Sequence, residues 1–233
     1  MKNCMVLDGF PSLGLVNAIA AECLIRSAGT ELLAIIDSPE FPPLSIINNF
    51  KPQFPARLHI NEDLKVAFFI SEFSIHPAMQ SNMARTILNW ALENECKLII
   101  SAAGIVGDQP KITGENDAAI IPDEQPVFAV ASTTAAGKII RENGFIELRS
   151  GLVKGIPATL LNEGGLRGQD VIVLMVNTML DAPDFRAAAL VSNAVTKLVP
   201  GLSCDIGSLI AEAQVIENKM KQIRDEHKES YIA

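Results

Sequence analysis

The chain has 233 residues, of which 48% are apolar and 20% are charged, a balance typical of a compact globular protein with a substantial core. Its formal net charge of -8 gives no electrostatic support for a nucleic-acid partner, and no run of about 18 apolar residues indicates a membrane span. Four scattered cysteines, without a C-x-x-C pair, argue against a disulfide framework and against a zinc site. We therefore expect a cytoplasmic protein that binds neither nucleic acid nor a membrane.

The N-terminal segment centres on residues 8–14, which read DGFPSLG between a short apolar run and a helical pattern. Gly9 and Gly14 suit a sharp turn from a strand into a helix that packs close to the sheet. Their spacing is also that of a phosphate-binding loop, but Leu15 and Val16 replace the lysine and hydroxyl residue of that motif. Ser12 misses the central position of a G-x-S-x-G turn by one residue. A structural turn is the favoured interpretation. The alternative is a ligand cradle that contains Gly9, Pro11, Ser12 and Gly14.

The rest of the chain alternates strand-like and helix-like segments. Apolar runs of strand length cover residues 4–7, 31–37, 66–71, 97–102, 127–131, 145–148 and 171–178. Helical patterns cover residues 15–25, 77–95, 132–143, 157–162 and 183–198. Near-continuous apolar strands of this kind predict a three-layer α/β fold with a mostly parallel sheet over residues 1–204. The glycine-, proline- and acid-rich segment 104–123 is predicted to be a long loop.

A proline-rich region follows the second predicted strand, at residues 38–57. Its prolines exclude a helix, because each one also restricts the residue before it. We expect an extended loop that presents an apolar surface to another subunit or partner, and the alternative is a loop folded over its own core. The candidate interface residues in this region are Phe41, Pro42, Pro43, Phe50 and Phe54.

A charged helix is predicted to begin at Asp205 and to form a C-terminal extension over residues 205–233. Apolar residues along it step by four and three, as in a heptad seam. Docking on the body of the protein and docking on a neighbouring subunit explain this seam equally well. The seam consists of Leu209, Ala213, Ile216, Met220 and Ile223.

Ionisable residues form no catalytic arrangement that the sequence requires. The three histidines fit neither a metal-binding nor a triad spacing. Asp181 and Asp184 follow the last predicted strand, where open α/β sheets bind ligands, but Asp184 directly follows a proline at a helix start and suits a capping role. Asp181 is therefore the acidic residue that we add to the possible ligand cradle. No catalytic residue, metal site or cofactor is predicted.

Several motifs, in this order along the chain, resemble the archaeal-type proteasome assembly chaperone 2 family. They are the glycine turn at 9–14, the SPEFPP loop at 38–43, the glycine pair Gly151 and Gly155, and the PDFRAA sequence at 183–188 before the charged helix. The resemblance implies an α/β fold similar to purine nucleoside phosphorylases. It also implies homo-oligomers that bind other proteins, including proteasome α subunits, rather than an established reaction.

The C-terminal tripeptide departs from the pattern that the resemblance implies. Some members of the family engage the proteasome through a terminal hydrophobic-Tyr-any sequence, whereas this chain ends Tyr231-Ile232-Ala233, with the tyrosine one position early. We expect an assembly protein that uses the proline-rich loop and the C-terminal helix, with Tyr231 as a further interface residue. The alternative is an enzyme or binding protein that acts on a nucleoside-like small molecule at the strand ends.

Overall fold

The computed structural model of the protein describes residues 2–106, 125–179 and 182–214. The strands in these ranges are β1 (Met5–Gly9), β2 (Glu31–Ile35), β3 (Ile46–Asn48), β4 (Lys51–Gln53), β5 (Ala56–Asn61), β6 (Val66–Ser71), β7 (Leu98–Ile105), β8 (Phe128–Ala131), β9 (Ile146–Glu147) and β10 (Val171–Asn177). The helices are α1 (Val16–Ala28), α2 (Pro77–Glu93), α3 (Thr134–Glu142), α4 (Ile156–Arg167) and α5 (Phe185–Leu198). Residues 206–214 are also helical. None of these helices combines the length and apolar character that a membrane span requires.

Eight strands form one sheet in the order β2-β5-β6-β1-β7-β10-β8-β9. The four central strands, β6, β1, β7 and β10, are parallel to one another. β5 pairs antiparallel with β6 because only a short turn joins them, whereas the central strands are linked by long crossovers. The expected α/β fold with a large, mostly parallel sheet between helices is confirmed, with antiparallel pairs towards the edges.

The strand side chains alternate between two cores, one on each face of the sheet. Leu7 and Ile100 lie in the core that α1 and α5 cover, while Val6 and Ile99 lie in the core under α2 and α4. Strands that are buried on both faces need apolar residues at nearly every position. This is why the central strands appeared in the sequence as uninterrupted apolar runs.

The strand order reverses between β1 and β7. From β1 the chain continues through α1 to the strands on one side, and from β6 it returns through α2 to β7 on the other side of β1. In open α/β sheets, such a reversal leaves a crevice outside the carboxyl ends of the two strands, where ligands commonly bind. The residues at the ends of β1 and β7 are therefore placed where a binding site is expected.

A β-hairpin occupies part of the region that was predicted to be an extended loop. β3 and β4 pair antiparallel, and Asn49 and Phe50 connect them with φ angles of 49° and 63°. Two positive φ angles are typical of the tight type I′ hairpin turn. The sequence did not show this turn because it lacks the usual glycine. Pro52 is accommodated because β4 belongs to a separate two-stranded sheet and needs only one neighbour.

The cysteines correct the expectation that the chain has no disulfide framework. Cys4 is bonded to Cys96 and Cys23 to Cys204, with Cα separations of 4.6 and 5.5 Å. The first bond joins the start of β1 to the segment before β7, and the second joins α1 to the segment before helical residues 206–214. The partners lie 92 and 181 residues apart in the chain, so no local cysteine spacing indicates them.

Candidate functional site

A buried carboxyl group lies at the strand-order reversal. Asp8, near the end of β1, is only 2% exposed. The Ser101 hydroxyl on the neighbouring β7 donates to Oδ2 at 2.6 Å, and the Phe10 amide donates to Oδ1 at 3.0 Å. Burial raises the pKa of Asp8 from an ordinary 3.8 to about 6, although hydrogen bonds from Ser101, Phe10 and Asn17 oppose the rise. Asp8 is therefore a buried carboxyl group that takes up a proton at a higher pH than an ordinary aspartate.

The turn after β1 is closed by hydrogen bonds to the start of α1. The Asn17 side chain donates to the Phe10 carbonyl at 3.2 Å, and the Asn17 amide donates to the Ser12 hydroxyl at 3.2 Å. The Leu15 amide donates to the Ser12 carbonyl at 2.9 Å. These bonds hold the turn in one conformation and fix the position of Ser12 above the sheet.

Close packing accounts for both glycines of this turn. A Cβ atom on Gly9 would lie 2.5 Å from the Ala21 Cβ atom, so Gly9 permits α1 to approach β1. Gly14 has a φ angle of 65°, and a Cβ atom there would overlap the Thr178 hydroxyl. The Gly14 carbonyl also accepts a hydrogen bond from the Asp184 amide at 2.8 Å. These contacts give the structural interpretation of the turn a physical basis.

A cleft of about 940 Å³ opens beside Asp8 at the carboxyl ends of β1, β7 and β10. The start of α2 and the segment 148–157 close its other sides. The cleft is lined mainly by apolar residues, which include Phe10, Ile75, Ile156 and Met175. Asn177, at the end of β10, also lines it, and the buried Oδ1 atom of Asn177 has no hydrogen-bond partner among the described residues. A large apolar cleft with a few buried polar atoms has the usual composition of a small-molecule site.

The residues of the predicted ligand cradle do not converge on one cavity. Ser12 lines the cleft beside Asp8, Gly9 lines a second cleft of about 690 Å³ beside α1, and Pro11 lines both. Gly14 is buried in the contact with Thr178. Asp181 lies outside the described residues. The cleft is instead organised around Asp8 and Asn177, which sequence reasoning did not select.

The capping role predicted for Asp184 is confirmed, and His76 caps a second helix. The Asp184 carboxylate accepts from the Ala187 amide at 2.9 Å at the start of α5, and the His76 ring accepts from the Ala78 amide at 3.3 Å at the start of α2. Within residues 2–106, 125–179 and 182–214, no group of three or more His, Cys, Asp or Glu side chains is arranged to hold a metal ion.

The predicted interface residues of the proline-rich region lie in different surroundings. Phe50, at the tip of the hairpin, is fully exposed at 101%, and Phe54 is 47% exposed. Pro42 and Pro43 are exposed as well, whereas Phe41 is half-buried and packs edge-to-face against Phe73, with ring centroids 5.0 Å apart. The other candidates, Ile216, Met220, Ile223 and Tyr231, lie outside the described residues.

The outer strand β2 exposes apolar side chains along its whole length. Leu32, Leu33 and Ile35 are 55%, 51% and 49% exposed, although the sequence of this strand resembles that of a buried one. β2 ends the sheet, with β5 as its hydrogen-bonded neighbour in the described part of the chain. We define the apolar edge surface as these residues together with the exposed apolar residues of the segment that leaves β2, namely Leu44, Ile47, Phe50 and Phe54.

An ion pair between a buried arginine and an exposed glutamate fixes the point at which this segment returns to the sheet. Arg57, at the start of β5, is buried and donates to the Phe54 carbonyl at 2.7 Å and to the Glu72 carboxylate at 2.7 Å. Glu72 directly follows β6, so the pair ties the returning segment to the carboxyl end of that strand. The hairpin therefore projects from a fixed base.

Comparison with known proteins places this fold among related chains. The model of the PAC2 family matches residues 6–224. The uncharacterised protein MJ0106 of Methanocaldococcus jannaschii is 26% identical over 227 residues, which are 97% of this chain and 87% of that protein. The crystal structure of Pyrococcus furiosus PbaA, described as an archaeal homolog of proteasome-assembly chaperone, has a TM-score of 0.83 and 26% identity, covering 99% of this chain and 91% of PbaA.

A second solved structure shows the same fold at lower identity. Pyrococcus furiosus PbaB, described as an archaeal proteasome activator, has a TM-score of 0.76 and 22% identity, covering 96% of this chain and 94% of PbaB. The family match spans nearly the whole chain, which confirms the resemblance seen in the sequence motifs. The protein is thus a member of the PAC2 family.

Proposed function

We propose that this protein is a protein-binding assembly factor that acts as a homo-oligomer, with proteasome α subunits as its client. The observation that carries the proposal is the apolar edge surface, supported by the description of PbaA as a homolog of a proteasome-assembly chaperone. No reaction is proposed. We propose a cytoplasmic setting because the proposed client is a proteasome subunit.

The edge strand is the first part of the argument. A sheet edge presents unpaired backbone N–H and C=O groups, and proteins usually protect such an edge with charges, prolines or a covering segment. β2 instead carries leucine and isoleucine side chains that are about half exposed. Complete burial of an exposed side chain of this size contributes about 1.5–3 kcal/mol. Apolar side chains beside an unpaired strand edge are the features expected of an interface.

A second copy of the chain is the occupant that we propose for this edge. Two identical edge strands can pair antiparallel about a two-fold axis, so one surface serves both partners. Such pairing would satisfy the unpaired backbone groups and would cover Leu32, Leu33 and Ile35 at the same time.

The hairpin tip is the second part of the argument. Phe50 adopts a φ angle of 63°, which is unfavourable for a bulky residue by about 1–2 kcal/mol, and its ring is completely exposed. A residue that is both strained and exposed contributes little to the stability of its own chain. Binding of the ring by another protein would explain why phenylalanine occupies this position.

The C-terminal segment supplies a third surface, and we propose that residues 205–233 form a helical extension of the 1–204 core. Leu209 and Ala213 of the predicted seam are buried, and Leu209 packs with Cys23 of α1 and Ala189 of α5. The first seam position thus contacts the body of the protein. The later positions, Ile216, Met220 and Ile223, continue the same spacing and are proposed to contact the client.

The double substitution Leu33→Lys with Ile35→Lys tests the self-association. Placing two charges on β2 should weaken the homo-oligomer at least tenfold, because burial of each ammonium group opposes association. Sedimentation velocity over a concentration series measures the change. Leu166→Lys is the matched control, since Leu166 is 86% exposed on α4, away from the edge. If the double variant associates as strongly as the control, the edge is not the interface.

A further inference from the structure

We propose that the cleft beside Asp8 binds an uncharged small molecule that carries hydroxyl or N–H donors and a ring, with Asp8 and Asn177 as its acceptors. This proposal is independent of the assembly role, because the cleft and the apolar edge surface share no residue. The proposed assembly role does not involve this cleft.

The position of the cleft is the first support. The parallel strands run in the order β6-β1-β7-β10, and the direction of winding changes between β1 and β7. The side-chain hydrogen bond from Ser101 to Asp8 crosses this boundary. Ligands of open α/β folds bind outside the carboxyl ends of the strands at such a reversal.

The polar atoms of the cleft determine which groups a ligand must carry. The Asp8 carboxylate accepts hydrogen bonds from Ser101, the Phe10 amide and Asn17, so one of its four acceptor positions is left for a ligand. Within the described part of the chain, the buried Oδ1 atom of Asn177 has no partner, so a donor on a ligand would satisfy it. Both groups are acceptors, so the complementary ligand donates hydrogen bonds from O–H or N–H groups.

The spacing of the two acceptors sets the size of the ligand. Asp8 lies beside Ser101 on β7, Ser101 pairs with Val173 on β10, and Asn177 is four residues further along β10. Four residues of a strand extend about 13 Å, and the two strand spacings from β1 to β10 add about 10 Å across the sheet, so the Cα atoms of Asp8 and Asn177 lie about 16 Å apart. A donor-bearing compound of nucleoside or disaccharide length spans this distance once hydrogen bonds of about 2.9 Å at each end are included. The apolar residues between the two ends, which include Phe10, Ile75 and Met175, favour a ring.

The charges of the cleft disfavour a phosphorylated ligand. Among the described residues that line it, the ionisable ones are Asp8, which is buried, and Lys154, which is exposed. A phosphate near the floor would face the Asp8 carboxylate, and the described lining residues include no buried cation to offset the repulsion. The site should therefore prefer the uncharged member of a pair of compounds that differ by one phosphate.

Thermal-shift and calorimetric titrations with matched pairs test this preference. The probes are adenosine and uridine with their 5′-monophosphates, and trehalose with trehalose 6-phosphate. We expect at least one uncharged probe to raise the melting temperature and to bind at least tenfold more tightly than its phosphorylated counterpart.

Substitutions at the two acceptors locate the binding. Asp8→Asn retains the size of the side chain, and its single oxygen can accept from the Phe10 amide while its NH2 group donates to the Ser101 hydroxyl. The substitution removes the charge and one acceptor oxygen, so affinity should fall at least tenfold. Asn177→Leu removes the unpartnered oxygen atom and provides a second test if Asp8→Asn does not fold. Asp63→Asn is the control, because Asp63 is exposed in the turn before β6, at the opposite end of the parallel strands.

Three results would overturn the proposal. They are a panel in which no uncharged probe changes the melting temperature, a phosphorylated probe that binds as tightly as its uncharged counterpart, and acceptor variants that bind the best probe like the wild type. Sedimentation of the same samples measures self-association separately. A failure of ligand binding can therefore be distinguished from a failure of the assembly role, which rests on β2 and the hairpin.

Discussion

At the scale of single residues, Gly14 connects the turn after β1 to the segment after β10. Its φ angle of 65° favours glycine, and the Thr178 side chain occupies the space of a Cβ atom. Its carbonyl accepts the Asp184 amide just before α5. A side chain at this position would disturb the contact between the turn after β1 and the segment after β10.

Gly14→Ala measures this contact. We expect the substitution to lower the free energy of unfolding by about 3 kcal/mol, because it adds a steric overlap to the cost of a positive φ angle. The larger Gly14→Val should not fold. Urea unfolding followed by circular dichroism gives the comparison with Gly144→Ala, at which φ is 72° and no atom lies within 4 Å of the added carbon. The control should lose only about 1 kcal/mol. Equal losses in the two variants would show that Thr178 does not restrict position 14.

Asp8 was not selected from the sequence as a site residue, although it is a charged residue near the end of an apolar strand. Its partners explain why. Ser101 and Asn177 lie about 90 and 170 residues further along the chain, and only the strand order brings them to one cleft. A local motif cannot show such an arrangement. The isolated acid at a predicted strand end was the available signal.

At the scale of elements, the central strands could be predicted because burial on both faces leaves a simple pattern of continuous apolar residues. The same pattern does not distinguish β2 from a central strand, since Leu32, Leu33 and Ile35 form an equally apolar run but lie on the open edge. An edge that is covered by another protein has the composition of a buried strand. The exposure of β2 therefore becomes evident only when its neighbours are known.

The hairpin gives a prediction that separates binding from stability. Phe50→Gly removes the exposed ring and relieves the unfavourable φ angle, while glycine costs some backbone entropy, so the free energy of unfolding should change by less than about 1 kcal/mol. Self-association or client binding should nevertheless fall at least tenfold, because a buried phenylalanine contributes about 1.5–3 kcal/mol.

Asn49→Gly is the control for the hairpin, since Asn49 also has a positive φ angle, of 49°, in the same turn. This variant keeps the ring and should associate like the wild type. Thermal unfolding and a binding titration of both variants give the comparison. Wild-type binding by Phe50→Gly would remove the hairpin tip from the interface.

At the scale of the whole molecule, the order of weak motifs identified the family, while long-range connections were not predictable. The cysteine pairs lie 92 and 181 residues apart, and they meet because β1 is adjacent to β7 and because the segment before residues 206–214 returns to α1. The second disulfide fastens the start of the proposed C-terminal extension to the core. The protein thus has a cross-linked body, an apolar edge on one side and a separate cleft at the strand ends.

The central claim is that this body assembles with itself and with a proteasome client. A native mass spectrum of the purified protein, alone and mixed with its cognate proteasome α subunits, tests it most directly. We predict one discrete homo-oligomer that gains whole multiples of the α-subunit mass in the mixture. A monomer, or an oligomer whose mass the α subunits leave unchanged, would contradict the proposed assembly role.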